Sequence, residues 1–169
     1  MTDNRFYGGF MYWIIWTGII LLCLVLQTTI IGNFLGIGMA KPDLLLIAIV
    51  FFSFRKEQLQ SGIFSFICGI VEDSVSGIPG MLGMNAFAKT IIGLIASLIK
   101  RTYAENFLSI MLSLFLFTII QDILVIILKS IFAYKAFALL IIIRTILLGA
   151  IYNMVLGGIL FLLIGKIKR

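Results

Sequence analysis

Histidine is absent from this chain. Its absence removes the commonest proton shuttle and the commonest metal ligand. Cysteine occurs twice, as Cys23 and Cys68, and both fall inside long apolar runs. There a thiol reads as a small packing residue, not as a metal ligand or half of a disulfide framework. Proline also occurs twice, at Pro42 and Pro79, and each copy lies between apolar runs. Charged residues make up 12% of the chain, too few to coat a soluble domain that is 62% apolar. No phosphate-binding loop, metal-ligand spacing or nucleophile–base pair is present in the sequence.

What the sequence has is long, continuous apolar runs and a mean hydropathy of +1.22. Lipid must be the solvent for most of it. The runs lack strict alternation, which favours helices over a closed barrel. The expectation is an all-α integral membrane protein, a single six-span domain over residues 1–169 without room for a soluble catalytic module. The net charge of +6 is not a nucleic-acid footprint, because the basic residues sit in small groups between apolar runs. That arrangement fixes orientation in a membrane.

The predicted spans are Gly9–Ile31, Leu44–Phe54, Leu59–Ser76, Met84–Ile99, Phe107–Leu128 and Ala136–Gly165. The first is too long for a signal peptide and lacks a small-residue cleavage site. The second is the shortest; its roughly 16 Å of helix crosses only if it starts near Pro42 and if Arg55 and Lys56 snorkel. A glycine-rich connection, 32–39, precedes Lys41-Pro42-Asp43, with proline and an acid suited to a helix start. Gly77-Ile78-Pro79-Gly80 breaks the third span from the fourth, and the stretch on to Gly83 reads as a flexible turn or a binding segment. Phe10, Tyr12, Trp13 and Trp16 read as an interfacial belt. With the N-terminus inside, eight Lys and Arg flank the inner ends of the spans and three the outer. Both termini are therefore expected in the cytoplasm.

Five charges fall within spans: Glu72, Asp73, Lys89, Asp122 and Arg144. A charge inside a bilayer is costly and marks a functional hypothesis. The predicted topology puts all five about 5–12 Å below the outer surface, in one layer with Gln27, Asp43, Asn85 and Gln121. Small and polar residues recur every four positions: Ser61, Ser65, Gly69, Asp73 and Gly77; Asn85, Lys89, Gly93 and Ser97; Thr145, Gly149, Asn153 and Gly157. Such stripes are what packed membrane helices show each other. They predict pairing of Glu72 or Asp73 with Lys89, and of Asp122 with Arg144. Three readings stand side by side: ion pairs that lock the helices, a groove for a partner helix or ligand, and a proton or ion path. A docking surface would use one unpaired acid, with Asp73 the first candidate and an exposed Lys41-Pro42-Asp43 the second.

The order Gln27-Thr28, Lys41-Pro42-Asp43-Leu44-Leu45-Leu46, Gly69-Ile70-Val71-Glu72-Asp73, Gly77-Ile78-Pro79, Gly83-Met84-Asn85-Ala86, then Arg144 and Asn153, resembles the bacterial rod-shape-determining MreD family. The resemblance covers essentially the whole chain. It departs at Gly80, where the family has leucine, and in lacking a proline after Arg144. It implies a non-enzymatic inner-membrane scaffold, without cofactor, that binds the bitopic protein MreC. Through MreC it joins MreB, RodA and a class B penicillin-binding transpeptidase to organise side-wall peptidoglycan synthesis. It implies a compact six-helix bundle similar to the substrate-capture subunits of energy-coupling-factor vitamin transporters, and it leaves a homo-oligomer open. The alternative function is such a capture subunit. That reading calls for alanines four apart on the first span, which has no alanine. A membrane enzyme is the third; adjacent Glu72 and Asp73 diverge by about 100° on a helix and form no dyad by themselves. The residues expected to hold a partner or form the polar layer are Pro42, Asp43, Glu72, Asp73, Gly77, Gly83, Asn85, Lys89, Asp122, Arg144 and Asn153.

Overall fold

The computed structural model describes residues 4–29, 41–76, 82–103, 106–133 and 139–167, with side chains over 15–29, 41–75, 82–99, 106–131 and 142–163. The described residues form six helices and no strand: α1 (Asn4–Val25), α2 (Leu44–Ser53), α3 (Gln58–Ser76), α4 (Met84–Tyr103), α5 (Phe107–Ala133) and α6 (Leu139–Ile167). A wider, π-helical turn at 26–29 continues α1. Gly77 lies outside the described residues.

The shortest helix is the centre of the molecule. α2 packs against all five others, α3 and α4 most closely. Leu45, Leu46, Ile47, Ala48, Ile49, Val50, Phe52 and Ser53 are all buried. A helix apolar on every side is stable only when surrounded. At about 15 Å it reaches half the thickness of a hydrocarbon core. Asp43 starts it, accepting the Leu46 N–H at 2.9 Å in an N-cap. It ends in a tight turn, where Phe54 N–H donates to Val50 O at 3.0 Å and Arg55 N–H to Phe52 O at 3.0 Å.

On one side of α2, Leu46, Ile47 and Val50 meet Ile92 and Ala96 of α4 and Ile110, Leu114 and Phe117 of α5. On the other, Leu45, Ile49 and Phe52 meet Phe64 and Cys68 of α3 and Ile20 of α1. Phe52 stacks on Phe64 with ring centres 4.0 Å apart. Trp16, half-buried, turns edge-on to both rings, at 4.8 and 5.4 Å. Phe10, Tyr12 and Trp13 have side chains outside the described set.

α3 and α4 form the closest hairpin, and glycine permits it. A Cβ on Gly69 would stand 2.6 Å from Ala86 N and 2.8 Å from Asn85 O. One on Gly93 would stand 3.0 Å from Ser61 O. At Gly69 backbone would have to move, and at Gly93 it would have to give by a few tenths of an ångström. Ser61, Ser65 and Asp73 on α3, and Lys89 and Ser97 on α4, are buried along this seam.

The outward face is as apolar as the core: Leu59, Phe66, Leu98, Leu108, Leu116, Ile131 and Leu162 are all exposed. Polar groups gather inside and hydrocarbon faces out, the reverse of a water-soluble protein. Segments 107–131 and 142–163 are each long and apolar enough to cross a bilayer.

Candidate functional site

One buried network joins all six helical segments, and its hub is the residue that starts α2. Oδ2 of Asp43 accepts from Lys89 Nζ at 2.5 Å and from Gln121 Nε2 at 2.9 Å. The Asp43 backbone N–H donates to Asn153 Oδ1 at 2.8 Å. Asn153 Nδ2 then donates to Thr118 Oγ1 at 3.0 Å. Lys89 also meets Glu72 Oε2 at 2.6 Å. Gln27, in the turn after α1, donates to Glu72 Oε1 at 3.4 Å and accepts the Leu45 N–H at 3.4 Å. Lys89 and Asn153 are 0% and 1% exposed. An ion group so deep survives only because each charge has partners.

Of the two acids on α3, Glu72 reaches Lys89, and Asp73 has a different task. Asp73 Oδ2 accepts the backbone N–H groups of Gly83 at 2.8 Å and Ala86 at 3.1 Å. Its Oδ1 accepts Asn85 Nδ2 at 2.9 Å and Asn85 N–H at 3.3 Å. The first N–H groups of a helix lack intrahelical partners. Asp73 supplies them from across the hairpin, so it caps α4 as a side chain of α3. Gly83 takes φ +99°, the left-handed region open to glycine, just before α4 begins.

The expected single layer needs correcting in three places. Pro42 is buried and the Asp43 side chain is 13% exposed, so of the Lys41-Pro42-Asp43 run only Lys41 is exposed. No ion pair joins Asp122 to Arg144. Asp122 lies beside Gly149 of α6, whereas Arg144 is five residues away, about 140° round the helix and on its exposed face. Arg144 therefore points away from the α5–α6 contact that holds Asp122. Lastly, the network is not near one end of every helix. Gln121 lies about 18 Å short of the end of α5 at Ala133, and Asn153 about 21 Å into α6. It marks the start of α2 and the α3–α4 junction, but the middle of α5 and α6.

Thr118 was not anticipated. A threonine on an apolar helix ordinarily bonds its own backbone, as Thr118 does to Leu114 O at 2.7 Å. Its spacing of three from Gln121 was the available signal. Among the described residues no cluster of Cys, Asp and Glu is arranged to hold a metal ion. The arrangement can hold helices in register, and its acids are already engaged by Lys89, amides and backbone N–H groups. Asp122 is the exception.

A family model described as rod shape-determining protein MreD matches residues 8–167. No curated protein and no solved structure matches the chain. Apolar helices, an apolar exterior and a match over nearly the whole length agree: the chain belongs to the MreD family of rod shape-determining membrane proteins.

Proposed function

We propose that this chain is a non-enzymatic scaffold of the cell-wall elongation complex, a six-span protein of the bacterial inner membrane with both termini in the cytoplasm. On this reading it binds MreC and, through MreC, works with MreB, RodA and a class B penicillin-binding transpeptidase in side-wall peptidoglycan synthesis. The observation that carries the reading is the internal engagement of the buried charges. Lys89 holds Asp43 and Glu72, and Asp73 caps α4. Charges spent in this way fix a shape and leave the outer surface for partners. This is the lock reading of the polar layer rather than the groove or ion-path reading.

On this reading the six-helix bundle is similar in architecture to the substrate-capture subunits of energy-coupling-factor vitamin transporters. The capture function is the less favoured alternative, because the acids that would line a ligand site are occupied by Lys89 and by the α4 backbone. The test is copurification of the tagged full chain from native membranes in mild detergent, with mass spectrometry of proteins and small molecules. Recovery of MreC with no vitamin-sized ligand is the expected outcome. Recovery of such a ligand, or of a transporter ATPase module, would overturn the scaffold reading.

A further inference from the structure

Among the described residues, two charges in the spanning part of α5 have no hydrogen-bond or ion-pair partner. Asp122 is half-buried, with an oxygen 3.9 Å from where a Cβ on Gly149 of α6 would stand. Lys129 is half-buried on the same helix. Neither makes a hydrogen bond or ion pair among the described residues. Seven residues separate them, so they share one face, with the base about 10 Å nearer the α5–α6 turn. Phe115, Ile119, Asp122, Ile126 and Lys129 follow alternating steps of four and three, and all five are half-buried. Such a spacing is the seam of a helix packed along another helix. α6 covers one side of this seam. On its other side Leu116, Ile120, Ile123 and Ile127 are exposed.

We infer that this edge of the α5–α6 pair is the docking site for a single transmembrane helix of another protein, one with a hydrogen-bond donor or cation level with Asp122 and an acid level with Lys129. This inference rests on the scaffold reading and gives that scaffold's partner site a place. The argument is charge complementarity. An acid without a partner at the middle of a spanning helix is costly, and a donor on a neighbouring helix relieves that cost. A second copy of this chain does not fit. Two copies share one orientation in the membrane, and a two-fold axis along its normal sets Asp122 against Asp122 and Lys129 against Lys129 at equal depth. Like charges repel most where the dielectric is low.

The experiment uses the full chain in native membranes with a photocrosslinking benzophenone side chain at Ile119 or Ile126, and at Ile63 on the lipid face of α3 as control. Adducts are mapped by mass spectrometry. The expected result is a crosslink from 119 and 126, and not from 63, to one transmembrane helix carrying a donor at the depth of Asp122. Asp122→Leu lowers the yield about three-fold, the average loss for one intramembrane hydrogen bond, and Asp122→Asn keeps most of it. Should Asp122→Leu fail to accumulate, Lys129→Glu, near the helix end, serves instead and also lowers the yield. A crosslink to a second copy overturns the inference. So does an absence of protein adducts at 119 and 126 while a single-span partner still copurifies; the scaffold reading then stands without this site. If no single-span partner copurifies with the unmodified chain, the scaffold reading fails and this inference fails with it.

Discussion

Lys89 Nζ and Asp43 Oδ2 lie 2.5 Å apart, and this contact ties the N-terminus of the central helix to α4. Glu72 meets the same ammonium at 2.6 Å. A cation that is fully buried thus holds acids from two other elements. Its head supplies donors to both carboxylates.

Removing Lys89 leaves two buried acids facing each other. Lys89→Met should therefore destabilise the purified protein by about 3–5 kcal/mol, the cost typical of breaking a buried ion pair. Adding Asp43→Asn and Glu72→Gln to Lys89→Met should recover part of that loss, because the acids no longer need a counter-charge. Thermal unfolding in detergent measures both. A triple variant less stable than Lys89→Met would show that the acids have partners beyond this lysine.

Asp73 is expected to act on the α4 end specifically. Asp73→Leu removes the acceptor for Gly83, Asn85 and Ala86 N–H groups. The cost should be about 1–2 kcal/mol for the cap itself. Hydrogen exchange should rise at 83–86 and stay unchanged at the α5–α6 seam. Uniform acceleration across the chain would mean that Asp73 supports the whole bundle and not one helix terminus.

The α3–α4 contact gives a steric prediction. At Gly69 a side chain meets backbone, and at Gly83 it meets open space but a left-handed φ. Gly69→Val should therefore force the hairpin apart and prevent recovery of folded protein. Gly83→Ala should cost only about 1–2 kcal/mol, the penalty of the left-handed conformation. Recovery yield and melting temperature separate the two. A Gly69→Val protein as stable as Gly83→Ala would contradict the close approach at Ala86.

Much of this was legible in the sequence because lipid makes polar residues conspicuous. Stripes at four-residue spacing correctly marked Ser65, Gly69, Lys89 and Gly93 as lying between helices. The centrality of α2 was not legible. Ten apolar residues look the same whether a helix is buried on all sides or half-exposed to lipid, since both environments are hydrocarbon. The choice between Glu72 and Asp73 was not legible either, because it depends on where α4 begins relative to α3. The pairing of Asp122 with Arg144 failed because depth alone was counted and not the helix face: Asp122 lies beside Gly149, and Arg144, five residues away, is on the exposed side of α6.

Asn153 offers the sharpest test of the network, because its two bonds differ in what they leave behind. Its Oδ1 accepts the Asp43 N–H, a backbone donor at the start of α2 with no helical partner of its own. Its Nδ2 donates to Thr118 Oγ1. Asn153→Leu strands the buried Asp43 N–H and should cost about 1–3 kcal/mol. Thr118→Val removes a bond between side chains, which in membrane proteins averages about 0.6 kcal/mol. In the double variant the costs should fall short of additive by about that smaller amount, since each single change already breaks the shared bond. Chemical or thermal unfolding of the four proteins in one detergent provides the cycle. Equal costs for the two single changes would place the weight of the network on the Thr118 bond instead of on the cap of α2.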